Sequence, residues 1–226
     1  MYLPILIAAV AGYFLGALPF GHLVARAHGV DIFKAGSGNP GATNVKRVLG
    51  AKAGNLVYFL DALKGAVAAG WPLFLWWQRR LLLMTVVVDG VKRGPFPNLA
   101  EAQLLGIVGV IAAVLGHSFS CFTRFKGGKG VATTSGGLLV LMPVPILIAA
   151  AVWLITFFAS RYVSLASILS AIVVPASAWA LGLPLILKIV VTLLGALVIV
   201  RHHANIRRLF AGTEHRWERR PKGEAP

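Results

Sequence analysis

Four segments of this 226-residue chain concentrate side chains that can hold a phosphate. The first, GSGNPGATNVKR at residues 36–47, offers the hydroxyl of Ser37, the amides of Asn39 and Asn44, and the guanidinium of Arg47, which can grip a phosphate with two donors. Its glycines, Gly38 among them, permit a tight loop. Gly36, Gly38 and Gly41 also spell G-x-G-x-x-G, but a dinucleotide fingerprint needs a buried strand before it, and Pro40 interrupts the turn. The second segment, RFKGGKGVATT at 124–134, sets Lys126 and Lys129 among Gly127, Gly128 and Gly130. Glycines let backbone N–H groups turn toward an anion, and the apolar run that follows can open as a helix whose N-terminus favours phosphate. Lys129 is followed by glycine rather than Ser or Thr, so this is not a Walker A loop and an NTPase is disfavoured. In the third, RHHANIRRL at 201–209, His202 and Asn205 stand one helical turn apart and can face one point, the histidine as a base or a phosphate donor. The fourth, SRYVSLAS at 160–167, adds Ser164 and Ser167.

Each cluster also has a plainer reading. The first can be a glycine-rich connector with helix-capping residues, and the second a basic turn at a membrane surface. Arg201, Arg207 and Arg208 suit lipid headgroups, Glu214 suits a pairing with a nearby arginine, and Ser164 and Ser167 can serve helix packing. Asp61 and Lys64, three apart inside an apolar run, are either a functional intramembrane pair or simply each other's counter-ions. His117, just ahead of the basic loop, can act as its tether. The six histidines form no metal-like constellation with acids or with the single cysteine, Cys121, and acids are too scarce for a two-metal site, so no metal is expected.

The elements that must position these groups are apolar. The chain is 58% hydrophobic and 13% charged, with a mean hydropathy of +0.79, too apolar for a soluble domain. We read it as an all-α polytopic integral membrane protein of seven spans, at about 2–24, 53–77, 102–122, two shorter segments within 131–159 joined at Pro143 and Pro145, 162–181 and 184–200. The first apolar run lacks a cationic leader and is expected to stay as a span. Seven spans put most of the 22 lysines and arginines, including the 26–52 and 123–130 loops and the tail, on one face. Arg79, Arg80, Lys92 and Arg93 lie on the other, in the 78–100 loop. By the positive-inside bias the rich face is cytoplasmic, with the N-terminus outside and the C-terminus inside. That parity brings all four polar segments to one face. A net charge of +15 fits lipid headgroups or phosphorylated substrates, whereas no nucleic-acid motif is present. A transporter would place its site near the midplane between repeated halves, and no repeat is evident.

Three motifs in this order, GSGNPGATNVKR, GHSFSCFTRFKGGKGVAT and RHHANIRRLFAGTEHRW, with LDALKG and SLAS between them, resemble the bacterial membrane acylphosphate:glycerol-3-phosphate acyltransferases, the PlsY family. The resemblance covers nearly the whole chain. It implies a single seven-span domain over residues 1–217 with a variable basic tail at 218–226, seated in the inner membrane with its site facing the cytoplasm. It implies transfer of a fatty acyl group from acyl phosphate to the 1-hydroxyl of glycerol 3-phosphate. The products would be lysophosphatidic acid and inorganic phosphate, with no cofactor and a functional link to a soluble enzyme that makes acyl phosphate. By motif match Ser37, Arg47, His202 and Asn205 are the expected catalytic residues. Gly38, Asn39, Asn44, Lys126, Gly127, Gly128, Lys129, Gly130, Ser164 and Ser167 are the expected substrate contacts. Asp61, Lys64, His117 and Glu214 are expected in supporting roles. The H-x-x-x-x-D motif of the other glycerolipid acyltransferases is absent, since no histidine here has Asp five positions on.

Overall fold

In an all-apolar environment each backbone N–H and C=O needs a partner within its own segment, which makes helices the available solution for runs like these. The computed structural model describes residues 2–85 and 97–217, and every regular element among the described residues is helical. Ten α-helices follow in order: α1 (Tyr2–Ala17), α2 (Phe20–Ala27), α3 (Ala42–Leu49), α4 (Ala51–Thr85), α5 (Leu99–Ser118), α6 (Val131–Leu141), α7 (Pro143–Ser160), α8 (Val163–Ala180), α9 (Leu185–Arg201) and α10 (His203–Phe210). They fall into two compact units, residues 1–143 and 144–226.

Among the described residues, five helical segments are long and apolar enough to cross a membrane: Tyr2–Ala27, Ala51–Gln78, Leu99–Thr123, Pro143–Ser160 and Val163–Ala180. Leu185–Arg201 with His203–Phe210, bent by 57°, makes a sixth if the pair is one span. The 131–159 block does divide at the prolines. Met142 separates the 11-residue α6 from α7, whose Pro143 occupies a helix start, where a missing N–H costs nothing. The α7 piece is not short: at 18 residues it is of full spanning length, while α6 is well under the roughly 20 residues a span needs.

Other boundaries move for identifiable reasons. The first run is not one helix but breaks at Leu18 and Pro19, because a proline cannot continue the α1 ladder. The second outlasts its apolar stretch, 35 residues in all, about 50 Å at 1.5 Å per residue. The third begins earlier than its apolar pattern, at Leu99. There the Asn98 side chain accepts from the Glu101 N–H at 2.9 Å and the Glu101 carboxylate accepts from the Asn98 N–H at 3.0 Å. Much of the 78–100 loop and the 218–226 tail lie outside the described residues.

In the first unit α5 is the central post, with α1 and α4 packed on it and α6 on α4. Contact is close because the facing residues are small. A Cβ on Gly16 would land on the backbone of Ala113, and one on Gly136 would land on the carbonyl of Ala62. In the second unit α8 packs on α9, and Ser170 donates to the Ala149 carbonyl of α7 at 3.0 Å. Large apolar side chains such as Ile155, Leu193 and Phe59 point outward, 61% to 70% exposed, the pattern of a protein whose outer solvent is lipid.

Candidate active site

The first phosphate-friendly segment is held in shape by its own asparagines. Asn44, 2% exposed at the start of α3, accepts the Ser37 N–H at 2.8 Å and donates to the Ala35 carbonyl at 3.0 Å. Asn39 accepts the Gly41 N–H at 2.9 Å, an Asx turn leading into the helix. Gly36 and Gly38 lie at φ of 58° and 69°, and a Cβ on Gly36 would meet the Asn44 amide oxygen, so the loop can wrap the asparagine only with glycine there. Both amides are therefore engaged within the loop. Ser37 remains exposed, and the Arg47 guanidinium, half-buried, reaches the Asn44 side chain at 3.4 Å.

The second segment folds back on the end of α5. Ser120, 2% exposed, donates to the Ala17 carbonyl at 2.6 Å, meeting one of the acceptors that the α1 break releases. Thr123 donates to the Lys126 carbonyl at 2.8 Å, and the Gly128 N–H donates to the His117 carbonyl at 3.0 Å. Gly130, at φ 83°, precedes α6, whose first turn carries no side-chain cap, an arrangement that favours an anion. Lys126 is exposed, and Lys129 half-buried. The two segments meet. One cleft is lined by Pro40 of the first loop, Lys126, Gly127 and Gly128 of the second, and Asp61 and His117 from the helices beneath.

Asp61 and Lys64, each 2% exposed, pair at 2.8 Å, as the counter-ion reading expects, and Asp61 also lines the cleft. His117 meets the second loop at Gly128 both through its carbonyl, which accepts the Gly128 N–H, and through its ring, which lies against the Gly128 backbone.

In the second unit His202 ends α9, 2% exposed, with its Nδ1 2.7 Å from the Val198 carbonyl. A carbonyl can only accept, so Nδ1 carries the proton in this geometry. Asn205, 6% exposed, donates to Glu214 at 2.6 Å, and Arg208 donates to the other Glu214 oxygen at 2.7 Å. Burial alone would raise the Glu214 pKa, but the hydrogen bonds from Asn205 and Arg208 outweigh it and hold the carboxyl below its ordinary value. Ser164 lies beside this carboxylate, and the Trp217 N–H donates to the Arg161 carbonyl at 2.9 Å, so the fourth segment and the third meet here. Ser167 donates to the Val163 carbonyl at 2.9 Å and accepts the Trp153 indole N–H at 3.2 Å.

Two contributors escape a reading by residue type. Arg208, expected at lipid headgroups, is the nearby arginine expected for Glu214, and the turn at Gly212, φ 67°, brings the two together. Ser120 lies in a serine-rich loop with nothing to mark it. In both cases the partner is set by chain reversal rather than by helical spacing.

Compared with known proteins, residues 6–212 match the family model described as glycerol-3-phosphate acyltransferase. The chain belongs to that family. It is accordingly an acyltransferase of the phospholipid-synthesis class and a multi-pass integral membrane protein. A glycerol-3-phosphate acyltransferase of Aquifex aeolicus (strain VF5) is 40% identical over 212 residues, covering 94% of this chain and 98% of its own. One of Fusobacterium nucleatum is 39% identical over 210 residues, covering 92% and 96%. Among solved structures, the glycerol 3-phosphate form of the integral membrane acyltransferase PlsY superposes with a TM-score of 0.78 at 38% identity, covering 95% of this chain and 96% of that one. The lysophosphatidic acid form of PlsY gives 0.75 at 38% identity, with 95% of each covered.

Proposed function

We propose that this acyltransferase moves a fatty acyl group from acyl phosphate to the 1-hydroxyl of glycerol 3-phosphate, releasing lysophosphatidic acid and inorganic phosphate. The observation that carries this reading is the cleft of the first unit, where Lys126, Gly127 and Gly128 of the second loop meet Pro40 of the first. Both substrates carry phosphate dianions, and convergent cations are what bringing them together requires. Arg47, Lys126 and Lys129 supply that charge, with Gly127, Gly128 and Gly130 letting the second loop close on the phosphate, and Ser37 and Gly38 facing the substrate from the first loop. Asn39 and Asn44 contribute by shaping that loop around the ligand. By motif match His202 and Asn205 are the remaining catalytic residues; within the second unit Asn205 is held by Glu214, which Ser164 adjoins, and Ser167 braces the helix.

The glycerol hydroxyl oxygen attacks the acyl carbonyl carbon. The bond from that carbon to the phosphate oxygen breaks, and the hydroxyl proton leaves with the donor's own phosphate. An acyl phosphate is a mixed anhydride with a good leaving group already, so no strong acid catalyst is called for; Ser37 or His202 orients the reacting groups. Ser37 has no activating base in its loop, which disfavours a covalent route.

The same reading gives seven spans, with α6 as a short one, α9 as the last, and α10 on the cytoplasmic face beyond it. The N-terminus is outside, and the cation-rich face and C-terminus are cytoplasmic, in the bacterial inner membrane. Residues 1–217 then work as one domain, residues 218–226 are a tail, and a soluble enzyme supplies the acyl phosphate. Purified protein incubated with palmitoyl phosphate and glycerol 3-phosphate should release phosphate and form lysophosphatidate, while palmitoyl-CoA should give neither. No turnover with the acyl phosphate overturns the reading, and an acyl-enzyme trapped on Ser37 overturns direct attack.

A further inference from the structure

A neutral ion pair buried in a span is replaceable by two well-packed apolar residues without loss of stability, so stability alone does not explain Asp61 and Lys64. Their remaining contacts do. Lys64 Nζ donates to the Leu18 carbonyl at 2.9 Å and lies 5.5 Å from the centre of the Phe20 ring, which fixes the break between α1 and α2. The α2 helix then abuts the first loop: a Cβ on Gly21 would fall on the Pro40 carbonyl. Asp61 Oδ1, besides holding Lys64, faces His117 Nδ1 at 3.5 Å. His117 in turn holds the second loop twice. Its carbonyl accepts the Gly128 N–H at 3.0 Å, and its Nε2 sits against the Gly128 backbone, where a Cβ would collide with it.

We propose that Asp61 is a positioning residue that sets the spacing of the two loops across the cleft, through Lys64 and the α1–α2 break on one side and through His117 and Gly128 on the other. The proposal rests on the reading that these loops bind the substrates. A carboxylate suits the task because one of its oxygens, Oδ1, faces the Lys64 ammonium and the His117 ring nitrogen at once. The surrounding low dielectric strengthens both contacts and keeps them from being exchanged for water. Small displacements here are expensive for the reaction, since reacting groups a fraction of an ångström out of place lose much of the advantage of being bound together.

The decisive variant is Asp61→Leu combined with Lys64→Met, which removes both charges together. If the pair served only to neutralise itself, this variant would behave as the wild type. The proposal expects the thermal midpoint to be kept. Hydrogen exchange of residues 36–41 and 126–130 should nevertheless accelerate by about tenfold or more, the factor a charge-assisted hydrogen bond carries. KM for glycerol 3-phosphate should rise by a similar factor. His117→Gln, which leaves the ion pair intact, should accelerate exchange at 126–130 alone, and it carries the test if the double variant does not fold. Wild-type exchange in both loops overturns the proposal, as does acceleration spread evenly over all helices, or faster loop exchange with an unchanged KM. If wild-type protein shows no acyl transfer at all, the functional reading has failed, while the exchange pattern still tests the link between the loops.

Discussion

Arg47 and Glu214 are the residues whose chemistry is easiest to isolate. Arg47 is held at Asn44 by one guanidinium nitrogen at 3.4 Å, at the rim of a loop built around that asparagine. A lysine keeps the charge but loses the planar two-donor fork, so Arg47→Lys should lower kcat/KM for glycerol 3-phosphate by about 10- to 100-fold with the fold intact. Undiminished steady-state kinetics would rule out two-pronged phosphate recognition there. Glu214 has a folded pKa below its ordinary 4.5, so the stability it contributes is fully present above that value and is lost as pH falls through the lower, folded one. Thermal midpoints measured across the acid range should therefore drop for the wild type below about pH 4.5 and drop less for Glu214→Gln, which starts lower at neutral pH. A parallel pair of curves would mean that the carboxylate is not what joins Asn205 to Arg208.

Helix contacts in the first unit depend on what is missing from the side chains. Gly16 of α1 faces the backbone of Ala113 in α5 with no space for a Cβ, so Gly16→Val must push the helices apart. It should cost about 1–3 kcal/mol, read as a lower thermal midpoint in detergent. Gly70 of α4 is the control, because a Cβ there would meet only Val140 Cγ1 at 3.6 Å. Gly70→Ala should be neutral or stabilising by up to about 1 kcal/mol, since alanine loses less backbone freedom in a helix. The polar motifs lie at element ends for a related reason. Span interiors must satisfy their own backbone, and the carbonyls and N–H groups left over at breaks and first turns are what Ser120, Lys64 and a bound anion can use.

At the level of the whole molecule the orientation rests on charge, and it is directly measurable. In a Cys121→Ser background, cysteines placed at Lys34 and Lys126 should react with a membrane-impermeant maleimide only in inside-out vesicles, and one at Arg93 only in intact spheroplasts. The reverse pattern would invert the topology. Family membership, an all-helical build and most helix positions were readable from residue order: apolar runs of sufficient length define spans wherever they stand, and long motifs survive as text. Which groups meet was not readable. Asp61 and Lys64 were visible as a pair three apart, because helical spacing is local. That Lys64 reaches Leu18, that Asp61 faces His117, and that Arg208 turns back to Glu214 were decided only by tertiary structure. Those contacts join segments through helix packing and chain reversal, which no local period encodes. The segment GSGNPGATNVKR illustrates the division. Its glycines and polar groups announce a phosphate-friendly loop from sequence alone. Only the fold shows that its asparagines build the loop and that the second loop lines the same cleft.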